Sequence, residues 1–163
     1  MTTKADFTDE EWAALRRAPL VAGMAITLAD PGGPVEVFKE TTAVLKDVLA
    51  TGESRGDLVG EAASDLRELA QKHEKPLGDF KPRGADAGVQ VLDELGRVRA
   101  IVDAKASPDE SGAFRNWLME CAQRAAEAAK EGGFMGFRAE RVSEGEQRML
   151  ERLRSTLGVG AAA

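Results

Sequence analysis

Phe7-Thr8-Asp9-Glu10-Glu11-Trp12 is the stretch that decides how this chain is read. Thr8 followed three residues later by Glu11 is a capping box. The Thr8 hydroxyl accepts from the Glu11 backbone N–H and the Glu11 carboxylate accepts from the Thr8 N–H, so donors that a helix start otherwise leaves unpaired are satisfied. Phe7 and Trp12 occupy the two positions of a hydrophobic staple. A helix therefore begins here. Ten residues on, Pro19 lacks a backbone donor and disfavours helical geometry at Ala18, which predicts a break or a kink. A second helix is expected from Pro19 to about Ala29. It is apolar almost all round and rich in small residues, and so belongs at the centre of the packing.

Further along, the same punctuation repeats. Asp30-Pro31-Gly32-Gly33-Pro34 ends the second helix, and Pro34 starts a third that runs to about Ala50 and stops at Gly52. Leu58, Val59, Ala62, Leu66, Leu69 and Ala70 recur at helical spacing, predicting a fourth helix to about His73. Pro76, Gly78, Pro82 and Gly84 mark a surface connection over 75–85. Beyond it, Val91 to Val102 and Phe114 to Ala129 carry helical stripes, and Glu131-Gly132-Gly133 stops the second of them. Ser143 with Glu146 forms another capping box, for a last helix carrying Met149, Leu150, Leu153 and Leu157. No segment alternates apolar and polar residues as a strand would. The expectation is an all-α, single-domain helical bundle over 1–157, with seven helices if Pro19 breaks the first and six if it only kinks it. Two pseudo-repeated halves, about 8–74 and 86–157, flank the connection, and 158–163 form a flexible tail. The stripes are too short and too often interrupted for a coiled coil.

Composition narrows the chemistry. A chain of 163 residues buries roughly 70% of its unfolded surface as one domain and needs no covalent staple. One Cys, one His and no Tyr leave little for nucleophilic catalysis. Ferritin-like di-iron centres, histidine zinc sites and hydrolytic triads all require more. The lone Cys121 and the acidic start point to a cytoplasmic protein that is not exported. The longest apolar run, Ala18 to Ala29, covers about 12 residues against the roughly 20 that span a bilayer. A net charge of −6 repels phosphate backbones, so nucleic acid is not expected as a partner. The late arginines are interleaved with glutamates, and Glu144 and Arg148 stand in the favourable i,i+4 order.

Two places share one pattern, a small-residue helix, an acidic residue with glycines, then a helix with acidic residues near its start. They are Ala22 to Gly33 followed by Glu36 and Glu40, and Ala122 to Gly133 followed by Val142-Ser143-Glu144-Gly145-Glu146. This resembles the TerB-like (tellurite resistance) all-helical family, in which helices meet at an Asp-Gly turn followed by a hydrophobic residue, Ser or Thr, and a Glu three residues later. Phe134 to Arg141 is an insertion relative to that short turn, and Pro31 stands where the family has glycine. The resemblance implies a helical bundle, a stress-associated role and divalent-cation binding by turn carboxylates, here Asp30, Glu40, Glu131 and Glu146.

Three other features bear on function. Asp57, Glu61 and Asp65 stack like charges along one helix edge and need relief from Arg55, Arg67 or another helix. His73 extends the Leu66-Leu69-Ala70 stripe and is expected to be partly buried at a helix end. Gly132-Gly133-Phe134-Met135-Gly136-Phe137 places two aromatics and a Met in a glycine-rich segment whose ordering is entropically expensive, so something should pack against them. Phe134, Met135 and Phe137 are the candidate partner-binding residues, with the protein's own core, a protein partner, a lipid surface or an apolar ligand as what they meet. The expected function is a non-enzymatic helical interaction or scaffold protein of bacterial type, with no catalytic residue and no cofactor. It would engage a protein partner or a second copy of itself through an apolar helix face or that loop. The alternatives are a divalent-cation-binding TerB-like module and an enzyme working through carboxylates alone.

Overall fold

The computed structural model describes residues 1–29, 46, 48–131 (129–131 as helix backbone) and 142–160. Among them are five α-helices, α1 (Asp9–Thr27), α2 (Leu58–Gln71), α3 (Ala87–Lys105), α4 (Pro108–Glu131) and α5 (Glu144–Leu157). A short 3-10 turn covers Lys4–Asp6, and 48–53 is also helical. No strand occurs among the described residues, so the all-α expectation holds.

The helix starts form as their side chains dictate. Glu11 N donates to Thr8 Oγ1 at 3.2 Å, Thr8 N donates to Glu11 Oε2 at 2.8 Å, and the Phe7 and Trp12 rings lie 5.8 Å apart. Ser143 and Glu146 make the same reciprocal pair at the start of α5. A third box, unremarked in the sequence reading, opens α4. Ser107 and Glu110 exchange hydrogen bonds around Pro108, which sits at the first helical position where its missing donor is harmless.

Pro19 does not end the first helix. α1 runs without interruption from Asp9 to Thr27, and the predicted second helix is its C-terminal half. Interior proline costs about 3 kcal/mol in an isolated helix, but Ala18, Pro19, Leu20, Val21 and Ala22 are all buried. Packing on both sides holds the backbone where local propensity alone would release it. α1 touches each of α2, α3, α4 and α5, which puts it at the centre as its all-round apolarity required.

One contiguous core cluster joins both sides of the 75–85 connection. Leu15, Val21, Leu58, Leu66, Val91, Leu95, Phe114, Leu118, Leu153 and Leu157 are among its members. The helical segment 48–53 ends one residue past Gly52, close to the predicted stop. At Gly52 an added Cβ would meet Ala63 Cβ and the Trp117 ring at 3.2 Å. Gly158, assigned by sequence to the tail, closes α5 in the left-handed conformation, and Val159 packs against the core. Arg115 donates to the Leu157 and Gly158 carbonyls, and Arg99 to that of Thr156, so two cations meet the negative end of α5.

Candidate functional site

An apolar hollow lies between Lys46 with 48–53 on one side and α2 on the other. Lys46, Leu49, Ala50 and Glu53 recur at helical spacing on one wall, and Leu66, Arg67, Ala70 and Gln71 form the other. Leu20 of α1 is the floor and Pro76 closes one end, around a volume of about 780 Å³. The walls owe their positions to local chemistry. Asp57 caps α2 by accepting from Gly60 N at 3.2 Å, and the bare Cα of Gly60 passes against the Arg55 carbonyl. Gly52 lets 48–53 lie directly on Ala63 and Trp117. Across the mouth Arg67 Nη1 bonds Glu53 Oε2 at 2.7 Å, joining the two walls.

The rim charges differ. Arg67 is neutralised by Glu53, whereas Lys46 is exposed and enters no ion pair among the described residues. Beneath the 48–53 wall, Trp117 is 2% exposed and its Nε1 finds no acceptor among the described residues.

The acidic edge of α2 is paired internally, but not wholly as the sequence suggested. Arg55 holds Asp57 and the N-terminus holds the rest. Lys4 N donates to Glu61 at 2.7 Å, Lys4 Nζ to Asp65 at 2.6 Å, and Trp12 Nε1 to Asp65 at 2.8 Å. Arg67 serves Glu53 instead. Burial pushes the Asp65 carboxyl up, and the Lys4 and Trp12 hydrogen bonds more than offset it, so it titrates below the usual range.

The remaining predicted residues scatter. Asp30, Glu40, Phe134, Met135 and Phe137 lie outside the described residues, as does the side chain of Glu131. Glu146 is buried and accepts from Ser143 N at 3.0 Å. Among the described residues no group of three or more His, Cys, Asp or Glu side chains could hold a metal ion. His73 is exposed, not partly buried. It occupies the left-handed position after α2 with φ 56, and Glu74 N reaches back to the Leu69 carbonyl at 3.0 Å. This hydrogen-bonded reversal turns its side chain off the apolar stripe. Cys121 is fully buried, and burial with the nearby Glu120 charge pushes its thiol far up.

Sequence reading missed the cleft because it depends on how close two helices lie. The signal available was Gly52 followed by Gly60, two bare positions flanking one turn. No family model, curated protein or solved structure matches this chain. Among the described residues no helix is long and apolar enough to cross a membrane.

Proposed function

We propose that this chain is a non-catalytic helical binding protein whose working surface is the cleft between 48–53 and α2. The cleft itself carries the reading. A hollow of about 780 Å³ falls in the range of roughly 300–1,000 Å³ typical of ligand pockets. Its floor and walls are Leu20, Leu49, Ala50, Leu66, Ala70 and Pro76, with polar groups at the edges. Occupancy would be driven by apolar burial, at about 25 cal/mol per Å².

The titrating groups support binding over turnover. General acid–base carboxylates are tuned upward by burial. Among the described residues, Glu11, Asp57 and Asp103 titrate below the usual carboxylate range instead. The Lys105 ammonium lowers Glu11 and the Ser111 hydroxyl lowers Asp103; at Asp57, burial is outweighed by Arg55 and the Gly60 N–H. The one thiol is sealed in the core and held protonated, which removes the thiolate a nucleophile needs.

Nile red, an uncharged solvatochromic dye, tests the surface. The wild-type chain should bind it with a blue-shifted emission, and Ala70→Trp, an exposed substitution that fills the cleft, should remove that signal. Equal signals from the two proteins, or none from the wild type, would show that the cleft is not a binding surface.

A further inference from the structure

We infer that 48–53 is a lid that lifts off Trp117 as a local unit, pivoting at the turn before α2, with the Arg67–Glu53 ion pair as its latch. Lifting needs no ligand and is independent of whether the cleft binds one.

The two tryptophans show where the closed position is strained. Trp12 and Trp117 are 3% and 2% exposed. The Trp12 Nε1–H donates to Asp65 at 2.8 Å, whereas the Trp117 Nε1–H is buried and finds no acceptor among the described residues. A buried donor without an acceptor has lost its hydration and gained no bond in return. Gly52 lies over that nitrogen, close enough that an added Cβ would stand 3.2 Å from it. Moving 48–53 away therefore returns water to the indole while the rest of the bundle stays folded.

The contacts that hold the lid down are modest. Val48 is buried and Gly52 lies on Ala63 and Trp117, but Leu49 and Ala50 border the hollow, so that side of the segment is not packed against α2. The Glu53 and Arg67 side chains, bonded at 2.7 Å, are 16% and 62% exposed, a solvated pair that salt weakens. Ser54, Arg55 and Gly56 are exposed, and an added Cβ at Gly56 meets nothing within 4 Å, so nothing packed there resists a pivot. Asp57, bonded to Gly60 N, keeps the α2 side of the turn in place.

The test is native-state hydrogen exchange on the full chain, read by NMR at the amides of 50–53 and at both indole N–H groups. The opening constants from Trp117 Nε1–H and from 50–53 should coincide. They should exceed those of Trp12 Nε1–H and of the buried Leu118 and Cys121 amides by at least about ten-fold. In low urea they should barely move, while those of α4 climb with the surface that global unfolding exposes. Glu53→Gln should raise the lid's opening constant about two- to five-fold, as for a partly exposed ion pair. Trp117 Nε1–H exchanging no faster than Trp12 Nε1–H and α4 overturns the inference. So does exchange at Trp117 without exchange at 50–53, or the reverse, because the two then do not open together. A silent Glu53→Gln removes the latch.

Discussion

Thr2 and Glu110, 108 residues apart, are joined by two hydrogen bonds in which the backbone N and Oγ1 of Thr2 donate to the Glu110 carboxylate at 2.8 Å each. The same carboxylate completes the capping box of α4 by accepting from Ser107. One side chain thus ties the N-terminus to the start of the longest helix.

That arrangement makes acid sensitivity predictable. The Thr2 N–H first, then the Ser107 and Thr2 hydroxyls, hold the Glu110 carboxyl down to about 2, against 4.5 for an unperturbed glutamate. A depressed folded-state pKa stabilises the fold fully above about 4.5, and that contribution is lost as pH falls toward about 2. Thermal unfolding of the wild type should therefore fall more steeply over this interval than that of Glu110→Gln, the two converging at the acid end. Parallel profiles would show that the carboxylate charge is immaterial.

Arg17 and Glu94 pin α1 to α3. Arg17 Nε and Nη2 donate to Glu94 Oε1 at 2.9 and 2.6 Å, with the two side chains 13% and 9% exposed and the Phe80 ring 5.4 Å from the guanidinium. Removing one partner strands the other charge away from water, so Glu94→Ala should lose roughly 3 kcal/mol in urea unfolding. Replacing both, as Arg17→Met with Glu94→Leu, should recover most of that loss, because the stranded charge disappears with its partner.

Two glycines in helices should answer oppositely to alanine. At Gly60 an added Cβ would sit 1.8 Å from the Arg55 carbonyl oxygen, a backbone atom that cannot swing aside. Gly60→Ala should destabilise by roughly 1–3 kcal/mol. At Gly112, within α4, an added Cβ meets nothing within 4 Å. Gly112→Ala should stabilise by about 0.5–1 kcal/mol. Denaturant midpoints of the two variants against wild type decide both.

Cys121 should resist a thiol-specific reagent at neutral pH in the folded protein, because its sulfur is buried and burial, with Glu120, raises the thiol. Labelling in increasing urea should follow the unfolding transition. Rapid labelling without denaturant would mean that α4 opens independently of the core.

Much of the fold was legible in the chain before any coordinates. Thr8 with Glu11, Ser143 with Glu146 and the Phe7–Trp12 staple are local devices that close within one turn, so sequence spacing alone specifies them. The stripes over Val91 to Val102 and Phe114 to Ala125 were legible for the same reason. The misreadings share a cause. At Pro19 local propensity argued for a break or a kink, and with the flanking residues buried the helix runs on. At His73 the stripe continued by spacing, but a left-handed residue turned the side chain away.

The chain by itself determined that it would be helical, where several of its helices begin, and that it carries few reactive groups, because capping, periodicity and composition act over a handful of residues. Only the tertiary structure decided that α1 passes through Pro19, that Lys4 and not Arg67 relieves the acidic edge, and that an apolar hollow opens between 48–53 and α2. Those outcomes depend on which surfaces meet across tens of residues, and the free energy of that meeting is not written in any one segment.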